Sequence, residues 1–244
     1  MHQINQTTAV FLATTWLFAC AGLGDTQVGS GDVKSEVRDL TEFSRISVTG
    51  SMDVFLTPGS DQLVRVEADD NLLPYIRTEV EGETLHIGTR PSFNIRPRSP
   101  VKIYITLPHL TGIAVSGSGD VESNGEFDSD KMDLRVSGSG QITLPVEAKT
   151  IDTHLSGSGK ITLRGNAGEL NCNISGSGDL DARRLTAGVV TSNISGSGSS
   201  MVNAKRYLQA SVSGSGHVWY YGDPDDMETR VSGSGSVKKK AKVY

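Results

Sequence analysis

The sequence predicts an all-β fold, a parallel β-helix or β-solenoid with repeats of about 19 residues centred on Ser-Gly-Ser-Gly corners. Three observations carry that expectation. The tetrapeptide Ser-Gly-Ser-Gly begins at Ser116, Ser137, Ser156, Ser175, Ser195, Ser213 and Ser232, at steps of 21, 19, 19, 20, 18 and 19 residues. The flanking residues alternate apolar and polar with the strand period of two. Glycine supplies 28 of 244 residues, and half of those 28 sit in the seven motifs. Proline, at 8 residues, is too scarce for a collagen-like or Pro-rich chain. Two cysteines cannot build a disulfide framework or a four-thiolate zinc site. A net charge of −5 argues against a nucleic-acid binder, which would carry a basic stripe.

From the N-terminus, residues 9 to 18 form a run of ten mostly apolar residues ending in Ala19 and Cys20. Ten residues are too few to span a bilayer, which needs about 20. They suit the apolar region of a signal peptide. Leu17-Phe18-Ala19-Cys20 resembles a bacterial lipoprotein box, with the bulky Phe18 and the absence of Lys or Arg in residues 1 to 8 as departures. The expected organisation is a lipoprotein signal peptide over 1–19, a lipidated Cys20 with a flexible tether over 20–36, and one β domain over 37–244. Ala21 and Gly22 follow the cysteine where an Asp would favour inner-membrane retention, so outer-membrane placement is expected.

Ahead of the regular repeats the alternation is looser. Ile46, Val48, Gly50, Met52, Val54 and Leu56 alternate around Thr49-Gly50-Ser51-Met52, which reads as a decayed copy of the motif. Val64 and Val66 mark a strand, and Asn71 to Ile76 one helical turn. Val80 to Ile87 reads as a hairpin around Glu81-Gly82-Glu83, and Val101, Ile103, Ile105 and Leu107 as a strand closed by Pro108.

The regular repeats occupy 115–237. An aliphatic precedes each motif: Val115, Val136, Leu155, Ile174, Ile194, Val212 and Val231. Ile113, Leu134, Thr153, Cys172, Ser192, Ala210 and Thr229 stand two residues earlier; Val121, Ile142, Ile161, Leu180, Ser200, Val218 and Val237 stand two residues after. Aliphatics and glycines then share the inner parity and serines the outer. The corner glycines are Gly117, Gly119, Gly138, Gly140, Gly157, Gly159, Gly176, Gly178, Gly196, Gly198, Gly214, Gly216, Gly233 and Gly235. Glycine allows the sharp turn or bulge of a corner and leaves room where two walls converge. One repeat cannot fold alone, so its stability has to come from stacking on its neighbours. Either one repeat or two make a full coil.

Three stretches resemble the autotransporter adhesin, head GIN domain family of Bacteroidetes envelope proteins. They are Phe43-Ser-Arg-Ile-Ser-Val-Thr-Gly-Ser-Met-Asp-Val54, the run from Val101 through Leu107-Pro-His-Leu-Thr-Gly-Ile-Ala-Val-Ser-Gly-Ser-Gly119, and Val218-Trp-Tyr-Tyr-Gly-Asp-Pro224 with Val231-Ser-Gly-Ser-Gly-Ser-Val237. The resemblance implies a β-helix related to pectin lyases, with Gly-Ser-Gly at tight turns, and a role in adhesion.

No catalytic set stands out. Asp69-Asp70, Asp128/Asp130 and Asp223/Asp225/Asp226 read as turn residues whose side chains cap local backbone. The serines lack a Gly-x-Ser-x-Gly elbow and a repeated histidine base. His2, His86, His109, His154 and His217 show no metal-ligand spacing, and the residue after each motif is Asp in only two of seven repeats, which defeats a calcium ladder. No cofactor and no metal are expected. Cys172 has inward parity and reads as a small core residue. Lys238, Lys239, Lys240 and Lys242 read as a solubilising guard on the last strand. The one outward feature with a possible function is a ladder: the motif serines beside Ala114, Arg135, His154, Asn173, Asn193, Ser211 and Arg230. The expectation is a non-catalytic, lipid-anchored envelope protein with a membrane partner and a glycan or protein surface as ligand. The alternatives are a periplasmic structural or regulatory scaffold and, third, a polysaccharide-active enzyme.

Overall fold

The computed structural model describes residues 25–241; Cys20 and the apolar run before it lie outside the described residues. The first half contains β1 (Asp25–Val28), β2 (Val33–Arg38), β3 (Arg45–Gly50), β4 (Asp53–Pro58) and β5 (Leu63–Asp69). A short 3-10 turn at Leu73–Tyr75 leads to β6 (Ile76–Glu81), β7 (Thr84–Thr89), β8 (Phe93–Arg96) and β9 (Lys102–Leu107). The second half is β10 (Gly112–Gly117), β11 (Asp120–Ser123), β12 (Phe127–Gly138), β13 (Gln141–Gly157), β14 (Lys160–Gly176), β15 (Asp179–Gly196) and β16 (Ser199–Gly214). It ends in β17 (His217–Tyr221), β18 (Asp226–Gly233) and β19 (Ser236–Lys239).

The repeats stack as a parallel β-solenoid, and the register settles that one repeat makes one coil. Gly117 pairs with Gly138, Gly138 with Gly157, Gly157 with Gly176, and so on through Gly196 and Gly214 to Gly233. The decayed motif is the corner of the coil beneath: Ile46, Val48 and Gly50 pair with Ile113, Val115 and Gly117, and Val54 with Val121.

Each corner needs glycine twice, for two different reasons. The first glycine of every motif has positive φ, between 113° and 126° across the seven copies, a region costly to any residue with a Cβ. The second glycine lies under the neighbouring coil: a Cβ at Gly159 would stand 2.4 Å from Val136 Cγ1 and 2.5 Å from the Gly140 carbonyl oxygen. The corner amides are not wasted. Ser139 and Gly140 both donate to the Gly117 carbonyl at 2.9 Å, and Gln141 donates to that of Gly119 at 3.2 Å. The corners are therefore part of the ladder that joins coil to coil.

Between corners the period of two does the sorting. In one coil Leu134, Val136, Ile142 and Leu144 are each at most 2% exposed. Burying each such side chain is worth about 1.5–3 kcal/mol. Thr153, Cys172, Ser192 and Ser200 share the interior, and their polar atoms find partners there: Ser192 and Ser200 hydroxyls lie 2.7 Å apart, and Thr153 donates to the Asn171 carbonyl at 3.2 Å. Burial pushes the Cys172 thiol up to about 12, so it is a core filler and not a nucleophile at neutral pH.

The N-terminal end is built differently. Below β3 and β4 lie β7 and β9, still parallel, but β6 pairs with β7, β5 with β9, and β2 with β5 in antiparallel fashion. The hairpin expected around Gly82 is β6–β7. Within the segment read as a flexible tether, 20–36, the structure shows strands: β1 pairs with β8, and β2 pairs with β5 from Val33↔Asp69 to Arg38↔Val64. Composition missed them because β2 buries almost nothing; its stability comes from backbone pairing and from side-chain bonds such as Lys34 to Asp70 at 2.9 Å.

Candidate functional site

Strand alternation places every motif serine on the solvent side. All fourteen, from Ser116 and Ser118 to Ser232 and Ser234, are exposed, as the outward parity requires. Two residues before each first serine, Ala114, Arg135, His154, Asn173, Asn193, Ser211 and Arg230 pair in register and form a second column on the same wall. Neighbours in each column are one rung apart, ~4.8 Å. Asn193 donates its amide to Asn173 Oδ1 at 3.2 Å, so that bond runs along the column. The columns border a shallow open groove of ≈ 670 Å³ that runs from His154 and Ser156 to Arg230 and Ser232. At the other end of the wall Arg135 is held by Asp133, which also bonds Arg45 at 3.1 Å.

The acidic groups take local roles. Asp69 is fully inaccessible, and its Oδ2 accepts from the Arg98 and Ser99 amides at 2.7 and 3.4 Å, pinning that loop against the N-terminal end. Burial raises its pKa, but these hydrogen bonds outweigh burial and hold the carboxyl below the usual range. Asp70 accepts from the Ser30 hydroxyl and from Lys34, and both bonds lower its pKa. Asp130 pairs with Lys149 at 2.7 Å, Asp223 pairs with Lys239, and Asp226 caps the Met227 amide at 2.8 Å. His86 lies 3.9 Å from Glu81, and His217 meets Ser236 at 3.0 Å. Among the described residues no group of three or more His, Cys, Asp or Glu side chains is placed to hold a metal.

Two features of the wall that follows the corners were not read from the sequence. Val54 pairs with Val121, so Asp53 and Asp120 stand on neighbouring rungs; burial and then repulsion from Asp120 raise the Asp53 pKa. Phe55 stacks on Tyr104 at 5.3 Å, and the Arg65 guanidinium covers Tyr104 at 4.3 Å. The outward parity of Phe55 and Tyr104 was visible; their adjacency depends on β4 pairing with β9.

Fold and site together define a repeat protein with a broad, shallow wall bordered by columns of hydroxyl and amide side chains, a surface suited to many shallow contacts. The chain belongs to the putative auto-transporter adhesin, head GIN domain family, whose model matches residues 42–224. A putative adhesin from Bacteroides fragilis is similar at 25% identity with a TM-score of 0.84, covering 88% of this chain and 100% of that one. Two Parabacteroides distasonis structures, one described as a putative lipid binding protein and one as a putative adhesin, are each 27% identical over the same shares, with TM-scores of 0.74 and 0.73. No curated protein matches the chain. The family and these neighbours fit a non-catalytic, surface-binding protein of the cell surface or envelope.

Proposed function

We propose that the chain is a lipid-anchored, non-catalytic envelope protein, attached through Cys20 in the outer membrane, whose ladder wall binds an extended surface polymer, a linear glycan. One observation carries the reading: serine hydroxyls repeat in register, rung after rung, along an open groove, beside a column of His154, Asn173, Asn193, Ser211 and Arg230. A chain of sugars laid along the stack meets a serine hydroxyl at each step and a second polar side chain beside it at each rung from His154 to Arg230. Each contact is weak, and affinity grows through their number. Asp69, Asp70, Asp130, Asp223 and Asp226 are held by backbone amides, a hydroxyl or lysines. Together with the adhesin family and neighbours, this supports binding without turnover; Asp53 and Asp120 stand outside such bonds.

The test is binding of the purified protein to a broad glycan array, with Asn173→Ala/Asn193→Ala as comparison and Cys20→Ala followed in cell fractions. The expected result is binding to linear glycans, at least tenfold weaker in the double variant, and loss of Cys20→Ala from membranes. Binding unaffected by the double variant removes the ladder; retention of Cys20→Ala removes the anchor. Absence of array binding, with residues 37–244 protected from protease on intact cells, returns the reading to a periplasmic scaffold.

A further inference from the structure

The last described coil is paired along one edge. Among the described residues β18 pairs with β16 along one edge, and all eight of its residues are exposed. Met227 and Val231 continue the inner columns of Leu208 and Val212, yet they are 44% and 47% exposed where Leu208 and Val212 are 0% and 2%. Among the described residues, the lysines expected to guard this end, Lys238, Lys239 and Lys240, do not cover it; Lys242 lies outside the described residues. Lys238 and Lys239 lie on β19, Lys239 is paired with Asp223, and Lys240 leans on the Trp219 ring at 5.8 Å. On β18 itself the outward charges are Asp226, Glu228 and Arg230, the last two bonded to each other at 2.5 Å.

We propose that a second copy of this chain covers this edge, pairing β18 with β18 in antiparallel register about Thr229. The strand is complementary to its own reverse. With Thr229 opposite Thr229, Glu228 faces Arg230 and Arg230 faces Glu228, while Met227 faces Val231 and Val231 faces Met227. Opposite charges then meet on the outer face and apolar side chains on the inner face, both favourable cross-strand pairs. Neighbouring registers fail. A one-residue slip turns each apolar side chain toward water. A two-residue slip sets Glu228 against Glu228, even though Asp226 then meets Arg230, or sets Arg230 against Arg230, and either slip separates Met227 from Val231. The pairing is isologous, so it closes at two copies and does not propagate into a fibre. It extends the sheet, covers Met227 and Val231, and brings two ladder walls into one particle. The like-charged lysines on β19 confine the contact to the β18 wall, which makes the dimer a weak one.

Sedimentation of the full chain in mild detergent, over a range of concentrations, tests the proposal. Wild type is expected to dimerise reversibly. Glu228→Arg places Arg against Arg, and Arg230→Glu places Glu against Glu, so each variant alone is expected to associate at least tenfold more weakly. An equimolar mixture of the two restores both attractive pairs and is expected to dimerise as wild type does. Both substitutions are on an exposed face, and unchanged melting temperatures confirm intact folds. Wild type that stays monomeric at every concentration, dimers that persist in both single variants, or a mixture that does not associate each overturns the proposal.

Discussion

The first corner of the stack and those above it use glycine for different reasons. Gly50 has φ of 98°, but a Cβ added there meets nothing within 4 Å. Gly157 has φ of 113°, and a Cβ there would lie 2.6 Å from the Gly138 carbonyl oxygen. The backbone demand is the same at both; only the repeated corner also has a neighbour pressed against it. A corner stacked on another corner, as Gly157 or even the last one at Gly233, is thus constrained twice, by local conformation and by stacking, and Gly50, with no corner beneath it, once. This explains why Ser-Gly-Ser-Gly is kept in all seven regular copies while the first has drifted to Thr-Gly-Ser-Met, where Met52 is buried in the second glycine's place.

Three substitutions sharpen or break that comparison. Gly157→Val has the largest expected effect, since it adds a steric collision with backbone to a strained φ. A loss of more than about 4 kcal/mol in urea unfolding, or failure to fold, is expected. Wild-type melting would mean that the corner is not packed. Gly50→Ala tests the other half: with φ strain alone the cost should be about 1–2 kcal/mol. A loss as large as that at Gly157 would show that the first corner is also pressed by a neighbour. The smallest effect belongs to Asp53→Asn. Asp53 has a folded pKa above its unfolded one, so its charged form is disfavoured by folding and its cost appears as pH rises through that pKa. Removing the charge should stabilise by a few tenths of a kcal/mol at pH 7, because much of the side chain is solvated, and by nothing at pH 2–3. Comparing urea midpoints at the two pH values checks the sign.

Much of this was legible because it is local. The corners follow from a motif whose first glycine must take positive φ, and the inner columns follow from a period of two. The decayed corner at Gly50 and the hairpin at Gly82 were readable for the same reasons. Strand β2 was not, since Val33 and Val37 are exposed at 49% and 60% and the segment has no apolar face to announce it; what orders it is the backbone of β5. The ladder was readable as two columns of residue types, because register repeats with the motif. The Asp53–Asp120 and Phe55–Tyr104 neighbours were not, because each joins segments about 50 or more residues apart in the chain.

The sequence by itself determined the repeat, its corners, the side of each strand that faces the core and the hydroxyl wall. These are consequences of φ preferences and strand parity, which act over a few residues. Tertiary structure decided that one repeat makes one coil and that antiparallel strands close the N-terminal end. It also decided that β18, and not the lysine-bearing β19, presents the strand whose inner face is left uncovered. Those depend on which backbone hydrogen bonds form between distant segments, and any strand of suitable parity offers the same donors and acceptors to several partners. Only the completed stack shows which of them are used.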